Sequence, residues 1–205
     1  VGHLVNLDFE RAEAMAAELN YAASQDPQAE FVAQLAAMIL AHVHFARGDF
    51  ERARVLIANA LAKDYGVAGI ENVDKIALLR LQADIAYIYD DEELVAASLL
   101  RAKELQDGSN QIITGYHIGC MTSMSLWCQG RFFEAAEHAD IAINQAQLIG
   151  YASISAPLDA YMVLARCQLE LSQLDKAVET STVLFEKSSE SNIWPWALMA
   201  EGTRA

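Results

Sequence analysis

The stretch Gly130-Arg131-Phe132-Phe133-Glu134-Ala135-Ala136-Glu137-His138-Ala139-Asp140-Ile141-Ala142-Ile143 reads as a tight helix-to-helix turn at Gly130, then an amphipathic helix. A bulky residue follows the turn by two places and a small alanine by five. Gly48-Asp49-Phe50-Glu51-Arg52-Ala53 repeats the figure closely. Leu7-Asp8-Phe9-Glu10-Arg11-Ala12 repeats it with Leu in the turn, and Ser172-Gln173-Leu174-Asp175-Lys176-Ala177 with Ser. A weaker copy is Glu92-Glu93-Leu94-Val95-Ala96-Ala97. The small residues then fall at 12, 53, 97, 135 and 177, at spacings of 41, 44, 38 and 42. A period near forty residues with one turn signature per copy defines a repeat array.

Composition agrees with helix nearly throughout. Pro (3) and Gly (10) are scarce in the 205 residues, and Ala, Leu, Glu and Gln are plentiful. Hydrophobic residues make up 54%, enough for a continuous core. The 14 basic residues stand against 28 acidic ones, a net charge of −14. That balance argues against direct binding to nucleic acid or an anionic membrane, and gives a stack of helices a soluble outer face. Cys120, Cys128 and Cys167 lie in apolar helical pattern and read as reduced core thiols, which predicts a cytoplasmic protein. No signal peptide or membrane-spanning apolar run is present. The start at Val1 and the close in mid-pattern lead to the expectation of a segment from a larger protein.

The pattern predicts helices over about 8–24, 28–47, 50–64, 72–89, 92–106, 111–129, 132–149, 156–171 and 174–188, with a tenth opening at Trp194-Pro195-Trp196. Asp26-Pro27, Tyr65-Gly66-Val67-Ala68-Gly69, Asp107-Gly108 and Gly150 mark breaks. The run Asp90-Asp91-Glu92-Glu93 lacks the alternating ligands and central Gly of a calcium loop, and reads as a cap for the following helix. The order is a B helix, four A–B hairpins and a lone A helix, forming one domain over 1–205. Stacked hairpins bury what one hairpin cannot, and curvature gives a concave wall lined by the A helices. The unpartnered last helix, with Trp194, Trp196, Leu198 and Met199, is expected to expose an apolar face and support self-association.

These residues resemble the tetratricopeptide family. Ala41, Gly48, Phe50, Ala53 and Ala60 fall in its register in one copy, Ser123, Gly130, Phe132, Ala135 and Ala142 in another, and Ala165, Leu174, Ala177 and Leu184 in a third. The resemblance implies an all-α, right-handed superhelix of antiparallel helix hairpins. The family's usual unit is about 34 residues, shorter than the period here. The longer unit is similar to the helical repeats in the sensor region of LuxR/MalT-like bacterial transcriptional regulators, which phrases such as Trp127-Cys128-Gln129-Gly130-Arg131-Phe132 and Ala146-Gln147-Leu148-Ile149-Gly150 resemble. That likeness implies a signal-receiving, protein-binding segment.

Under the family register the inward positions of the A helices are Leu35, Met38, His42 and Phe45 in one copy. They are His117, Cys120, Met124 and Trp127 in another, and Asp159, Met162, Arg166 and Leu169 in a third. Met and aromatic side chains suit adaptable contact with an apolar or helical partner, and Arg166 suits a carboxylate or a carbonyl. The competing reading is that these residues fill a narrow core. Family members that grip acidic C-terminal tails use Lys, Arg and Asn; His42, Met124 and Arg166 at the matching positions disfavour that clamp.

No phosphate-cradling glycine loop, HExxH or paired CxxC occurs. His42 and His44 point to different sides of a helix and cannot share a metal. A serine nucleophile would need a strand-to-helix elbow that this pattern cannot build. The expectation is therefore a non-enzymatic module without cofactor or metal. It would bind a protein, a peptide segment or a small-molecule effector; the alternative is a purely structural scaffold.

Overall fold

A computed structural model describes residues 8–26, 30–62, 70–106, 111–148 and 157–204. Ten helices make up these residues: α1 (Phe9–Gln25), α2 (Glu30–Ala46), α3 (Phe50–Leu61), α4 (Ile70–Ile88), α5 (Glu92–Leu105), α6 (Gln111–Cys128), α7 (Phe132–Leu148), α8 (Leu158–Glu170), α9 (Leu174–Glu190) and α10 (Trp194–Arg204). The expected breaks at 65–69, 107–108 and Gly150, and Pro27, lie outside the described residues. Consecutive helices pack as sequential hairpins.

Each A–B turn is built the same way. Gly48, Asp90, Gly130 and Ser172 all take left-handed backbone conformations, with φ of 78°, 55°, 72° and 59°. In each turn that residue's N–H donates three residues back, and the next N–H donates five residues back, as in Gly48 to Phe45 and Asp49 to His44. This double bond satisfies carbonyls that a helix end otherwise leaves unpaired. Glycine takes such a φ freely, whereas Asp90 and Ser172 take it against a steric penalty. Asp8, Asp49 and Asp91 then cap α1, α3 and α5, each accepting from the amide three residues on.

The turns fix the register and correct one copy. Counting five residues from each left-handed position gives 53, 95, 135 and 177, at spacings of 42, 40 and 42. The small-residue slot of the third hairpin element is thus Val95, fully buried, and not Ala97, which is exposed. Ala41, Ala83, Ser123 and Ala165 fill the matching slot on the A helices with no exposed surface at all.

Two kinds of helix result. α3, α7 and α9 each bury one stripe: Ala53, Ile57 and Ala60; Ala135, Ala139, Ala142 and Ala146; Ala177, Ser181, Leu184 and Ser188. That three-and-four spacing marks a helix with one face in water. α8 buries residues on nearly every side. So does α4, where Ile76, Leu78, Leu79, Leu81, Ala83 and Ile85 are all covered. A helix apolar all round belongs inside.

The inside helices touch in order: α2 meets α4, α4 meets α6, α6 meets α8 and α8 meets α10. α10 then returns to α2. Trp196 reaches Phe45 with ring centres 5.8 Å apart. The expected exposed face of the last helix is accordingly only part of the picture. Trp196 is buried within the chain, and Met199 packs against the core, while Trp194 and Leu198 stay exposed. The chain bends far enough in ten helices for its last helix to find the second. None of the helices among the described residues is long and apolar enough to cross a membrane.

Candidate functional site

The closed circuit of α2, α4, α6, α8 and α10 gathers polar side chains in its interior. α4 supplies Arg80 and Asp84, α6 supplies Tyr116, His117 and Cys120, α8 supplies Asp159, and α2 supplies His42. Arg80 is the hub. Its Nη1 donates to the Tyr116 hydroxyl at 2.6 Å. The same nitrogen stands 3.7 Å from Asp159 Oδ2, and Nε stands 3.8 Å from Asp84 Oδ2. Both carboxylates are thus within ion-pair range but outside the 2.7–2.9 Å of a charge-assisted hydrogen bond. Asp84 and Asp159 are 1% and 2% exposed, and no nitrogen or oxygen donor reaches any of their four oxygens in hydrogen-bond geometry; the Cys120 thiol is the donor beside Asp159.

Burial sets the charges here. It pushes the Asp84 carboxyl well above the usual carboxylate range; the charge of Asp159 adds to that, and Arg80 opposes it. Burial also raises the Cys120 thiol, which therefore stays protonated, with Asp159 adding to the effect. It lowers His42 to about 4, against the pull of the Met38 carbonyl and helped by the charge of Arg80. His117 is lowered well below its ordinary value by burial and then by Arg80. Both imidazoles are consequently neutral near neutral pH. His42 Nδ1 lies 2.8 Å from the Met38 carbonyl, so it carries the proton and leaves Nε2 an acceptor. His117 Nδ1 has no partner.

A second group lies two helical turns further along. Arg166 on α8 places its guanidinium 3.7 Å from the ring centre of Trp127 and 5.0 Å from that of Tyr87. Tyr87 and Trp127 meet edge to face at 5.3 Å. Among the described residues no carboxylate pairs with Arg166. The Trp127 indole N–H has no hydrogen-bond partner, and the Tyr87 hydroxyl has none in good geometry, with the Arg166 guanidinium beside it. Asp159 and Arg166 are seven residues apart on one helix, which sets the two groups about 10 Å apart.

The positions expected at the concave wall divide between these groups and the packing between them. His42, His117 and Asp159 join the Arg80 cluster. Trp127 and Arg166 form the stack. Phe45, 5% exposed, packs against Phe50 and Trp196. Met124, Met162 and Cys120 are fully buried, Leu35, Met38 and His42 are half-buried, and Leu169 is exposed.

Arg80, Asp84 and Tyr87, the residues at the centre of both groups, were missed by the sequence reading. The signal for them was present. Shifting Met38, His42 and Phe45 by the 42 residues that separate Gly48 from Asp90 lands on Arg80, Asp84 and Tyr87. Placing Ala97 in the small slot hid that register.

Elsewhere, a shallow open concavity of about 390 Å³ between α2 and α3 is lined by Leu40, His44, Glu51, Arg52, Val55 and Leu56. Further unpartnered polar atoms sit on Gln34, Gln145, Gln168 and Ser181. Among the described residues no three His, Cys, Asp or Glu side chains come together to hold a metal ion. Cys120, Cys128 and Cys167 are free thiols.

No protein-family model matches this chain, and no curated protein and no solved structure matches it either. What the fold and site define is an all-helical array of sequential hairpins with a buried polar interior.

Proposed function

We propose that this chain is a non-enzymatic binding module that receives a small effector among its inner helices. The observation that carries this reading is the concentration of buried polar atoms without a well-formed hydrogen bond on Asp84, Asp159, His117, Tyr87 and Trp127, the two carboxylates standing only at ion-pair distance from Arg80. Each such group costs about 1–3 kcal/mol relative to one that is paired. A core with only a structural task favours apolar side chains there, and stability alone gives no reason to keep these. The architecture belonging to this reading is a right-handed superhelix of tetratricopeptide-like hairpins with a period near forty residues. The resemblance to the sensor region of LuxR/MalT-like bacterial transcriptional regulators supports the same reading, since it implies a signal-receiving, protein-binding segment. The proposed ligand-contacting residues are His42, His117, Trp127, Asp159 and Arg166, joined by Arg80, Asp84 and Tyr87. Met38, Phe45, Met124 and Met162 shape the apolar wall between them.

Trp127 provides the test, because its indole sits at the stack. Titration of the chain with metabolite and peptide libraries, followed by tryptophan emission, should find ligands that shift the signal. Trp127→Ala should abolish the shift and Arg166→Ala should weaken it, with both variants still folded by circular dichroism. A chain that responds to nothing, and whose variants only lose melting temperature, is a scaffold. The exposed Trp194, Leu198, Leu174 and Val178 favour a protein partner on the outer face as a second reading. Self-association through α10 would use Trp194 and Leu198.

A further inference from the structure

Two arginines stand half-buried on the inner helices, Arg80 and Arg166, and their surroundings differ. Arg80 has Asp84 and Asp159 within ion-pair range and the Tyr116 hydroxyl within hydrogen-bond range. Arg166 has two aromatic rings and, among the described residues, no carboxylate in range. Resting on the reading of the interior as a ligand site, we propose that Arg166 is its anion anchor. The guanidinium binds the carboxylate of a small organic acid whose apolar body lies against Trp127 and Leu169.

The charge comes first. A guanidinium keeps its proton in a protein, so burial cannot silence Arg166 as it silences a carboxyl or an imidazole. The acids that act in this neighbourhood are Asp90, Glu92 and Glu170. Asp90 and Glu92 raise the Cys128 thiol at the end of α6, and Glu170 raises the Cys167 thiol next to Arg166 in sequence, each adding to the larger effect of burial. All three acids are exposed, where water and salt screen them. A half-buried cation is left without a counter-ion in contact.

The donors come second. Arg166 lies 3.7 Å from the ring centre of Trp127 and 5.0 Å from that of Tyr87. Stacking engages the face of the planar guanidinium and leaves its N–H edges for an acceptor. The Trp127 indole N–H, a donor only, has no acceptor. The Tyr87 hydroxyl, on a side chain 1% exposed, has no well-formed hydrogen bond and stands beside the guanidinium. Three groups able to donate meet here, and no carboxylate answers them. A small organic acid brings one negative charge and two oxygens that match a guanidinium edge in parallel.

Access comes third. Arg166 and Trp127 are each half-buried, so part of the stack is reached from solvent. Leu169, one turn beyond Arg166 on α8, is 43% exposed. Phe132, 6.3 Å from Trp127, is half-buried. The acid meets Arg166 from this open side, with Leu169 and the aromatic rings as its apolar flank.

The test uses the full chain and two probes of matched shape, phenylacetate and phenylacetamide. Calorimetric titration should show binding of the acid and at least tenfold weaker binding of the amide. Arg166→Gln removes the charge and should weaken phenylacetate binding at least tenfold. Arg166→Lys keeps the charge but not the two-pronged contact, and should fall between. Arg52→Gln, in the shallow concavity between α2 and α3, should bind phenylacetate as the unaltered chain does. The comparison of probes on the unaltered chain needs no variant, so it stands even if a substitution impairs folding. The anion anchor is wrong if phenylacetate does not bind, if the amide binds as well, if Arg166→Gln binds the acid undiminished, or if Arg52→Gln loses as much. The effector reading survives that result when another library ligand shifts Trp127 emission; when none does, both fall together.

Discussion

The guanidinium of Arg166 lies 3.7 Å from the ring centre of Trp127, joining α8 to α6, and it also reaches Tyr87 on α4 at 5.0 Å. One side chain thereby ties three inner helices. A cation over an aromatic face contributes about 0.5–2 kcal/mol, depending on how far it is desolvated. Arg166→Ala should lower stability by that amount and alter Trp127 emission. Arg166→Lys keeps the charge but loses the planar stack, and should fall between the two. Chemical denaturation of the three proteins gives the order; equal midpoints would show that the stack contributes nothing.

The register correction makes a sharp contrast. Ala135 has no exposed surface and faces the A helix of its own hairpin, so Ala135→Leu should overpack the contact and cost about 1–3 kcal/mol. Ala97→Leu, on an exposed position of α5, should be close to neutral. Urea midpoints of the two variants decide it. A large loss for Ala97→Leu would restore the register in which that residue fills the small slot.

The turns predict a gain. Ser172 holds φ at 59°, where an L-residue other than glycine is sterically disfavoured. Gly48 and Gly130 occupy the same place with no such penalty. Ser172→Gly should stabilise the chain by up to about 1 kcal/mol, visible as a higher melting temperature. A loss would mean that the serine side chain matters more than its backbone strain.

How far the sequence reveals this molecule can be judged from these same turns. Gly48 and Gly130 announce themselves because glycine is the cheapest residue at positive φ. Asp90 hides because an aspartate there looks like part of an acidic run. The helices and the alanine slots follow from periodicity, which local sequence carries in full. The return of α10 to α2 does not, because it sums small rotations between successive hairpins that no single residue encodes. Trp196 consequently looked like an exposed end when it is a buried contact. The polar cluster was half legible. His42, His117 and Asp159 stand at inward positions, yet their meeting place is Arg80, reached only once the α4 register is right.

Acid should unfold the protein through its histidines. His42 sits at about 4 in the folded chain, against an ordinary 6.5, so the unfolded chain takes up that proton first. Its contribution is fully present above pH 6.5 and is lost as pH falls from there toward 4, by at most about 3 kcal/mol. His42→Gln should flatten the stability profile across that window. A profile with the same slope in both proteins would place the acid sensitivity elsewhere, with His117 the next residue to substitute.

The most direct test of the interior as a binding site, and not a structural ion pair, is the stability of Asp84→Asn against the unaltered chain as a function of pH. Burial raises the Asp84 carboxyl well above its ordinary range, so the folded chain holds that proton longer than the unfolded one. Stability from this group is therefore fully present below the ordinary carboxylate value near 4 and is lost as pH rises through the folded value. Asparagine cannot ionise, and it leaves Arg80 paired with Asp159 alone. The variant should match the unaltered chain in acid and become the more stable of the two as pH rises toward neutrality. If Asp84→Asn is instead destabilised at neutral pH by the roughly 3–5 kcal/mol expected for breaking a buried ion pair, the cluster is a structural staple.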